Sequence, residues 1–242
     1  MTSIGVISDV HANITALEAV LADLHAEGVE CIVCCGDVVG YGPWPREVIA
    51  RLRDVDALCV QGNHDAASIG AFPSDHFNAD ARAAIDWTRA ALDQEDLQFL
   101  ADLEQMYIGD DFVLVHGSLR GPLWEYMRDA FVARESFPLL ARSIGLFGHS
   151  HIQGGFVRFG EHVDAITPGR PIAIVPGRQY LINPGSVGQP RDGDPRAAYA
   201  IVDLDCDSVL FKRVAYDIKP VMQRIEHVGL PRRFGERLEA GR

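Results

Sequence analysis

The sequence predicts an α/β chain carrying two β-sheets, and three observations predict it. Apolar runs that end in a polar residue alternate with helix-period stripes over the first third of the chain. Two further runs, DFVLV and SIGLF, lead into His116 and His149. Beyond residue 151 the texture changes to IQGGFVRFG, PIAIVP, QYLINPG, AAYAIVDLD and SVLFKRVAY. These short runs, split by Gly, Pro and Asp, read as an antiparallel meander forming a second sheet.

Taken in order, SIGVIS is a strand that ends at Asp9, and Ile14, Leu17, Val20, Leu21 and Leu24 then form a helical stripe. Asn13 or Thr15 caps that helix, with Thr15-x-x-Glu18 as a possible capping box. CIVCC is the second strand, Pro45 to Arg53 a short helix, and DALCV a third strand running into Gly62-Asn63-His64-Asp65. Residues from about Ala66 to Asp80 read as a loop, followed by helices over Ala79–Leu92 and Gln94–Leu103. The end of the chain reads as a short helix from Asp217 and a basic tail. Strands alternating with helices imply right-handed crossovers and a largely parallel sheet, whose ligand sites lie beyond the carboxyl ends of the strands.

The chain has 242 residues, 48% of them hydrophobic and 23% charged, with no internal repeat or low-complexity linker, so residues 1–242 are expected to form a single domain. Folding at this length buries roughly 70–75% of the unfolded surface, so a metal here serves chemistry rather than stability. A net charge of −12 opposes binding of a nucleic-acid polymer, while a small anionic substrate needs local cations. MTSIGVISDV has no basic, apolar leader character and no run approaches the ~20 apolar residues of a membrane span. A soluble, cytoplasmic protein with no membrane partner is therefore expected. Five cysteines, an odd number, argue against a disulfide framework. Cys31 and Cys34 form a C-x-x-C pattern, but inside an apolar strand they point to opposite faces, so a buried strand is preferred over a redox or zinc motif.

The informative feature is where polar residues fall. Asp9 and His11 follow the first strand, Asp37 the second, Asn63, His64 and Asp65 the third, His116 the fourth, and His149 and His151 the fifth. Each fragment alone is weak, since Gly-Asp is a common turn and Asn-His-Asp a common capped loop. Together they bring imidazole, carboxylate and carboxamide groups to one sheet edge without a thiolate, a set that suits Mn, Fe or Zn. Four His, two Asp and one Asn exceed what one tetrahedral ion uses, but fill two ions if one carboxylate bridges them. Ions ~3.5–4 Å apart in such a centre acidify a water and stabilise an in-line displacement at phosphorus.

Asp9-x-His11, Gly36-Asp37-x-x-Gly40, Gly62-Asn63-His64-Asp65, His116-Gly117 and Gly148-His149-Ser150-His151, in that order, resemble the metallophosphoesterase (calcineurin-like phosphoesterase) superfamily. NPGSVGQPRDGDPRAAYAI, residues 183–201, is similar to its small bacterial phosphodiesterase and dinucleoside polyphosphate hydrolase-like branch. The resemblance implies a two-sheet mixed β-sandwich flanked by helices in four layers. It implies two divalent transition-metal ions, Mn first, with Fe, Zn or Ni also accommodated. Asp9, His11, Asp37 and His151 would hold one ion, and Asp37, Asn63, His116 and His149 the other. His64 would be the catalytic residue, facing the phosphate and either stabilising the transition state or donating a proton to the leaving oxygen while a metal-bridging hydroxide attacks. Its ordinary pKa of ~6.5 suits that role.

Asn13 is a helix cap or, by the resemblance, a group beside the metals, and the cap is structurally sufficient. Ala12 stands where many relatives have Gly. Gly40 and Tyr41 stand where protein Ser/Thr phosphatases of the superfamily carry Asp-Arg, which argues against that branch. The expected activity is metal-dependent hydrolysis of a small phosphodiester or nucleotide-type phosphoanhydride. The alternatives are a phosphomonoesterase, favoured if Arg120 or Arg128 reaches the metals, and a catalytically weak interaction scaffold. Around the site, Arg120, Trp124, Tyr126 and Arg128 either stack a base and pair a phosphate or form a surface loop whose Trp packs on the core. Tyr41 and Trp44 either line the pocket or cover the adjacent helix. Arg191 and Arg196 read as solvated, and His25, His76, His162 and His227 stay unassigned.

Overall fold

A computed structural model describes residues 3–29 and 31–242. The chain runs β1 (Ser3–Ile7), α1 (Ile14–Ala26), β2 (Cys31–Cys34), α2 (Pro45–Asp54), β3 (Leu58–Cys59), α3 (Asn63–Ser68), α4 (Ala79–Ala91) and α5 (Gln94–Asp102). It continues through β4 (Met106–Ile108), β5 (Phe112–Val115), α6 (Ala130–Ser136), β6 (Ile144–Leu146), β7 (Gly154–Phe159), β8 (His162–Ile166) and β9 (Ile172–Ala173). β10 (Gln179–Asn183), β11 (Ala197–Asp203), β12 (Ser208–Val214), α7 (Lys219–His227) and α8 (Arg233–Ala240) complete it.

The strands form two six-stranded sheets, β3-β2-β1-β11-β12-β9 and β4-β5-β6-β10-β7-β8. Both are mixed. β1 pairs parallel with β2 but antiparallel with β11, and β6 pairs parallel with both β5 and β10 while β10 pairs antiparallel with β7. The two mixed sheets are those the resemblance implies, and they correct only the texture-based expectation of one parallel sheet followed by one antiparallel sheet. Late strands β11 and β10 insert beside the early parallel blocks, so the strand ends that carry the polar residues belong to two sheets rather than one.

Side-chain alternation explains the sandwich. On β1, Ile4 and Val6 join Val33, Cys35 and Val60 against Leu114, Leu146, Tyr180 and Ile182 of the other sheet, whereas Ile7 faces Leu17, Leu24, Ile49 and Leu52 of the helices. Gly5 sits under α1 because a Cβ there would meet Leu24 Cδ2 at 2.8 Å. The outer face of the second sheet packs Val113, Val115 and Leu181 on Ala133 and Phe137 of the α6 region. Helices, two sheets and a helix thus make the four layers.

Asn13, not Thr15, caps α1, accepting from the Ala16 N–H at 3.2 Å. Cys34 and Cys35 lie in the cores on opposite faces of the first sheet, and Cys31 is exposed. A hydrogen bond with Cys59 and burial hold the Cys34 thiol well above its usual range, as expected of a structural cysteine. The loop expected after Ala66 begins instead with α3, in which Asp65 Oδ2 accepts from the Gly62 N–H at 2.9 Å. The basic tail is helical: Leu230, Phe234 and Leu238 recur every four residues and bury against Val221 and Ile225 of α7. No described helix is long and apolar enough to cross a membrane.

Candidate metal centre

Three backbone hydrogen bonds zip the β1–α1 loop to the β2–α2 loop: Asp9 N to Gly36 O (3.0 Å), His11 N to Asp37 O (2.9 Å) and Ala12 N to Val38 O (2.9 Å). The resulting geometry is strained. Among the described residues, nine non-glycine positions have positive φ, and seven of them, Asp9, His11, Ala12, Asp37, Tyr41, His149 and His151, lie here. A left-handed conformation costs an L-residue about 1–2 kcal/mol, so the clustering marks a functional constraint rather than a folding convenience. Ala12, the departure from glycine, adopts φ 51° and bears that strain directly. Two glycines provide close approach: a Cβ on Gly62 would meet Asp37 Oδ1 at 2.1 Å, and one on Gly148 would meet Ser8 Oγ at 1.9 Å.

These loops bring all seven expected ligand residues together. His11 Nε2 lies 3.1 Å from His151 Nε2, 3.6 Å from Asp37 Oδ2 and 3.9 Å from Asp9 Oδ1, and His151 Nε2 lies 3.2 Å from Asp9 Oδ1. On the other side, His116 Nε2 lies 3.0 Å from His149 Nδ1, 3.0 Å from Asn63 Oδ1 and 3.3 Å from Asp37 Oδ2. Asp37 Oδ2 is common to both groups, and either group of His and Asp atoms is compact enough to hold one ion.

The outer nitrogen of each imidazole explains which nitrogen faces inward. His11 Nδ1 meets Val39 O at 3.1 Å, His116 Nδ1 meets Cys35 O at 2.8 Å, and His151 Nδ1 meets Gln189 O at 2.6 Å. His149 is reversed, its Nε2 meeting Trp124 O at 3.2 Å. A ring that donates outward to a carbonyl presents a lone pair inward, so each of the four inward nitrogens is available to ligate in that tautomer. Lone pairs facing one another at this range repel unless a cation lies among them. Asp9 Oδ1, buried and without a hydrogen-bond partner, points to the same need. The nitrogen and oxygen donor set fits first-row divalent ions.

The electrostatics of the carboxylates and of His149 agree. Burial alone would raise Asp9 and Asp37, yet His151 and His116 respectively outweigh it and hold both carboxyls below their usual range. Burial pushes His149 down to about 3, leaving it neutral and able to ligate. His116 goes the other way: burial opposes its charging, but Asp37 raises it to about 9.

His64 stands beside both groups without entering either. Its backbone N–H donates to Asp37 Oδ1 at 2.8 Å, and its ring packs against His11, Tyr41 and Phe77 with centroids 5.0, 4.4 and 4.9 Å away. Nδ1 has no partner, and Gly40 leaves it room, since a Cβ there would come within 2.6 Å. Burial, opposed by Asp37, lowers its pKa to about 4. The expectation of an imidazole poised near neutrality is thus corrected: desolvation keeps this ring neutral at pH 7.

A cleft of about 600 Å³ opens over the centre, with Tyr41, Phe72, Phe77, Trp124 and Tyr126 as aromatic walls and Arg191 and Arg237 as cations. Trp124, 60% exposed, stands at the cleft rather than packing on the core. Tyr126 stacks on His149 at 3.8 Å, with Arg128 4.0 Å from the Tyr126 centroid. Arg120 is held by Glu125 and Glu135, and Trp44 packs among the α7 and α8 side chains. Arg191, read as solvated, and Arg237, in the supposed tail, both line the cleft, as does His76. For Arg237 the available signal was the Leu230, Phe234, Leu238 spacing, which marks an amphipathic helix.

The sequence profile of the calcineurin-like phosphoesterase superfamily domain matches residues 2–207. The chain belongs to that superfamily. An uncharacterized protein of Methanocaldococcus jannaschii is 40% identical over 99% of this chain and 98% of its own length. The phosphodiesterase YfcE of Escherichia coli is 26% identical over 84% of this chain and 88% of its own. Among solved structures, a metallophosphoesterase from Sphaerobacter thermophilus shares the whole fold, with TM-score 0.88, 41% identity and full coverage of both chains. The chain is accordingly a metal-dependent phosphoric ester hydrolase.

Proposed function

We propose that this phosphoesterase hydrolyses a small phosphodiester or a nucleotide-type phosphoanhydride with two divalent transition-metal ions, manganese foremost. The observation that carries the reading is Asp37 Oδ2, placed between two sets of ligand atoms with His64 alongside. Asp9, His11, Asp37 and His151 would hold one ion and Asp37, Asn63, His116 and His149 the other. When bound, such ions make water acidic enough to act as a nucleophile at neutral pH and neutralise charge on the phosphoryl oxygens.

The chain's own groups do the rest. Outward carbonyl contacts fix the imidazole rings, and Ser8 Oγ and the His149 N–H hold Asp9 Oδ2 at 2.6 and 3.1 Å. His64 presents a ring N–H to the leaving oxygen, and an anionic phosphoryl group in the cleft raises its proton affinity as it binds. The aromatic walls exclude water and stack a planar leaving group. A phosphomonoesterase is the second reading, favoured by Arg191 and Arg237 at the cleft, although Arg120 and Arg128 are engaged elsewhere. A scaffold has no use for a complete set of buried ligands whose assembly without metal is costly. The proposal includes one domain over residues 1–242, supported by the packing of α8 on Tyr41, and a cytoplasmic setting, which suits five free thiols.

The test is steady-state hydrolysis of bis-p-nitrophenyl phosphate, p-nitrophenyl phosphate and diadenosine tetraphosphate by chelator-stripped protein with and without Mn²⁺. The expected result is Mn²⁺-dependent turnover of the diester or the anhydride above the monoester. A preference for the monoester, or turnover indifferent to metal, would overturn the reading.

A further inference from the structure

Arg191 and Arg237 lie in the same cleft, and neither pairs with an acidic side chain among the described residues. Arg191 Nη2 donates to Gln189 Oε1 at 2.9 Å, but its buried Nε has no partner. Arg237 Nε donates to the Arg242 main-chain oxygen at 2.8 Å, the one hydrogen bond its guanidinium makes among the described residues.

The two are built into place. Tyr41 carries Arg191 on its ring, with the guanidinium carbon 5.7 Å from the centroid, and packs edge-on against Phe234 of α8 at 5.1 Å. Phe234 and Arg237 are three residues apart on one helix and share a face. The end of α8 is pinned to the Arg191 loop by Gly193 N–H donating to Gly241 O at 2.9 Å. Arg191 is itself tied to the metal centre through its N–H to His151 O at 3.2 Å. Burial and then the Arg191 charge lower the proton affinity of Arg237. Two like charges brought to one cleft with no acidic side chain beside them are stabilised by an anion between them.

We propose that Arg191 and Arg237 form a second anion subsite that grips a further phosphoryl group of a substrate with consecutive phosphoryl groups, a nucleoside polyphosphate, while the metal centre acts on its neighbour. This rests on the hydrolase reading above and selects the phosphoanhydride within it. The Phe72, Phe77 and Trp124 walls give the nucleobase a surface to stack on. α7 and α8 lie beyond residues 2–207, so the subsite is completed by a segment outside the part that matches the superfamily profile.

The test compares wild type with Arg237→Ala, Arg191→Ala and Arg237→Lys. Two readouts are used: the ratio of kcat/KM on diadenosine tetraphosphate to that on bis-p-nitrophenyl phosphate, and calorimetric affinity for inorganic tripolyphosphate. Loss of a charge-assisted contact predicts that the ratio and the tripolyphosphate affinity each fall by roughly tenfold to a hundredfold in the Ala variants, with partial recovery in Arg237→Lys. An unchanged ratio, or unchanged tripolyphosphate affinity, overturns the subsite. If wild type hydrolyses none of the substrates but tripolyphosphate binding still depends on both arginines, the subsite stands and the proposed function falls. Arg237 is only partly buried, so its variants are expected to fold, which circular dichroism checks.

Discussion

Replacing Asn13 separates two roles that its position allows. Its Oδ1 caps α1 through the Ala16 N–H at 3.2 Å, and its Nδ2 donates to Gly188 O at 3.1 Å and to the Tyr216 hydroxyl at 3.3 Å. A lost cap costs about 1 kcal/mol, and a buried carbonyl left without its donor costs about 1–3 kcal/mol. Asn13→Ala should therefore destabilise the protein by roughly 2–4 kcal/mol, or about 5–15 °C in Tm at this chain length. Asn13→Asp keeps the cap but turns an acceptor toward Gly188 O and buries a charge, so it should be worse than Ala although Asp caps isolated helices as well as Asn does. The Gly188 segment also carries the Gln189 carbonyl that orients His151 at 2.6 Å, so both variants should bind metal roughly tenfold more weakly. Calorimetry of the metal-free proteins at pH 7.5 provides the assay. An Asn13→Asp protein as stable as wild type would show that the cap is all that Asn13 contributes, and the argument for the tie would fail.

His64→Ala should retain both metals while turnover drops by a factor of about 10²–10⁴, measured by metal analysis and steady-state kinetics; unchanged turnover would remove His64 from the chemistry. Gly62→Ala places a methyl 2.1 Å from Asp37 Oδ1 at an unstrained φ of −95°, so the carboxylate must move; metal affinity should fall at least tenfold, and an equal affinity measured by Mn²⁺ titration would contradict the packing. The metal-free protein should be most stable near neutral pH. Burial pushes His64 down to about 4 and His149 to about 3, so unfolding takes up their protons and stability falls as pH drops from 6.5 toward 4. Asp65, raised to about 7 by burial and by Asp37, works in the opposite sense but offsets only one proton. His116, raised to about 9 by Asp37 against burial, contributes stability below 6.5 that is lost as pH rises through 9. Urea midpoints at pH 5, 7 and 9 check both limbs, and a midpoint highest at pH 5 or pH 9 would refute this assignment.

The candidate metal-binding residues were legible because their chemistry restricts the residue type and strand ends restrict the place. Asp9, His11, Asp37, Asn63, His116, His149 and His151 all converge as their positions suggested. The helices with apolar stripes, α1, α2, α4 and α5, were legible for the same reason that they pack. What failed depends on contacts distant in sequence. Alternation along β1 reveals two buried faces but not that β11 would be its neighbour, so which late strands insert into each sheet was hidden. β4, at three residues, and α6, at seven, are too short for a period to emerge. Arg191 reads as a loop cation until Tyr41 and α8 close around it. The depressed pKa of His64 comes from burial, which no local pattern announces.

The account turns on Asp37 Oδ2 serving both groups of ligands. Calorimetric titration of chelator-stripped protein with Mn²⁺, carried out on wild type and Asp37→Ala, tests this directly. Two ions per wild-type chain and loss of both from the variant are the predicted result. A single ion in wild type, or two ions retained by Asp37→Ala, would contradict it.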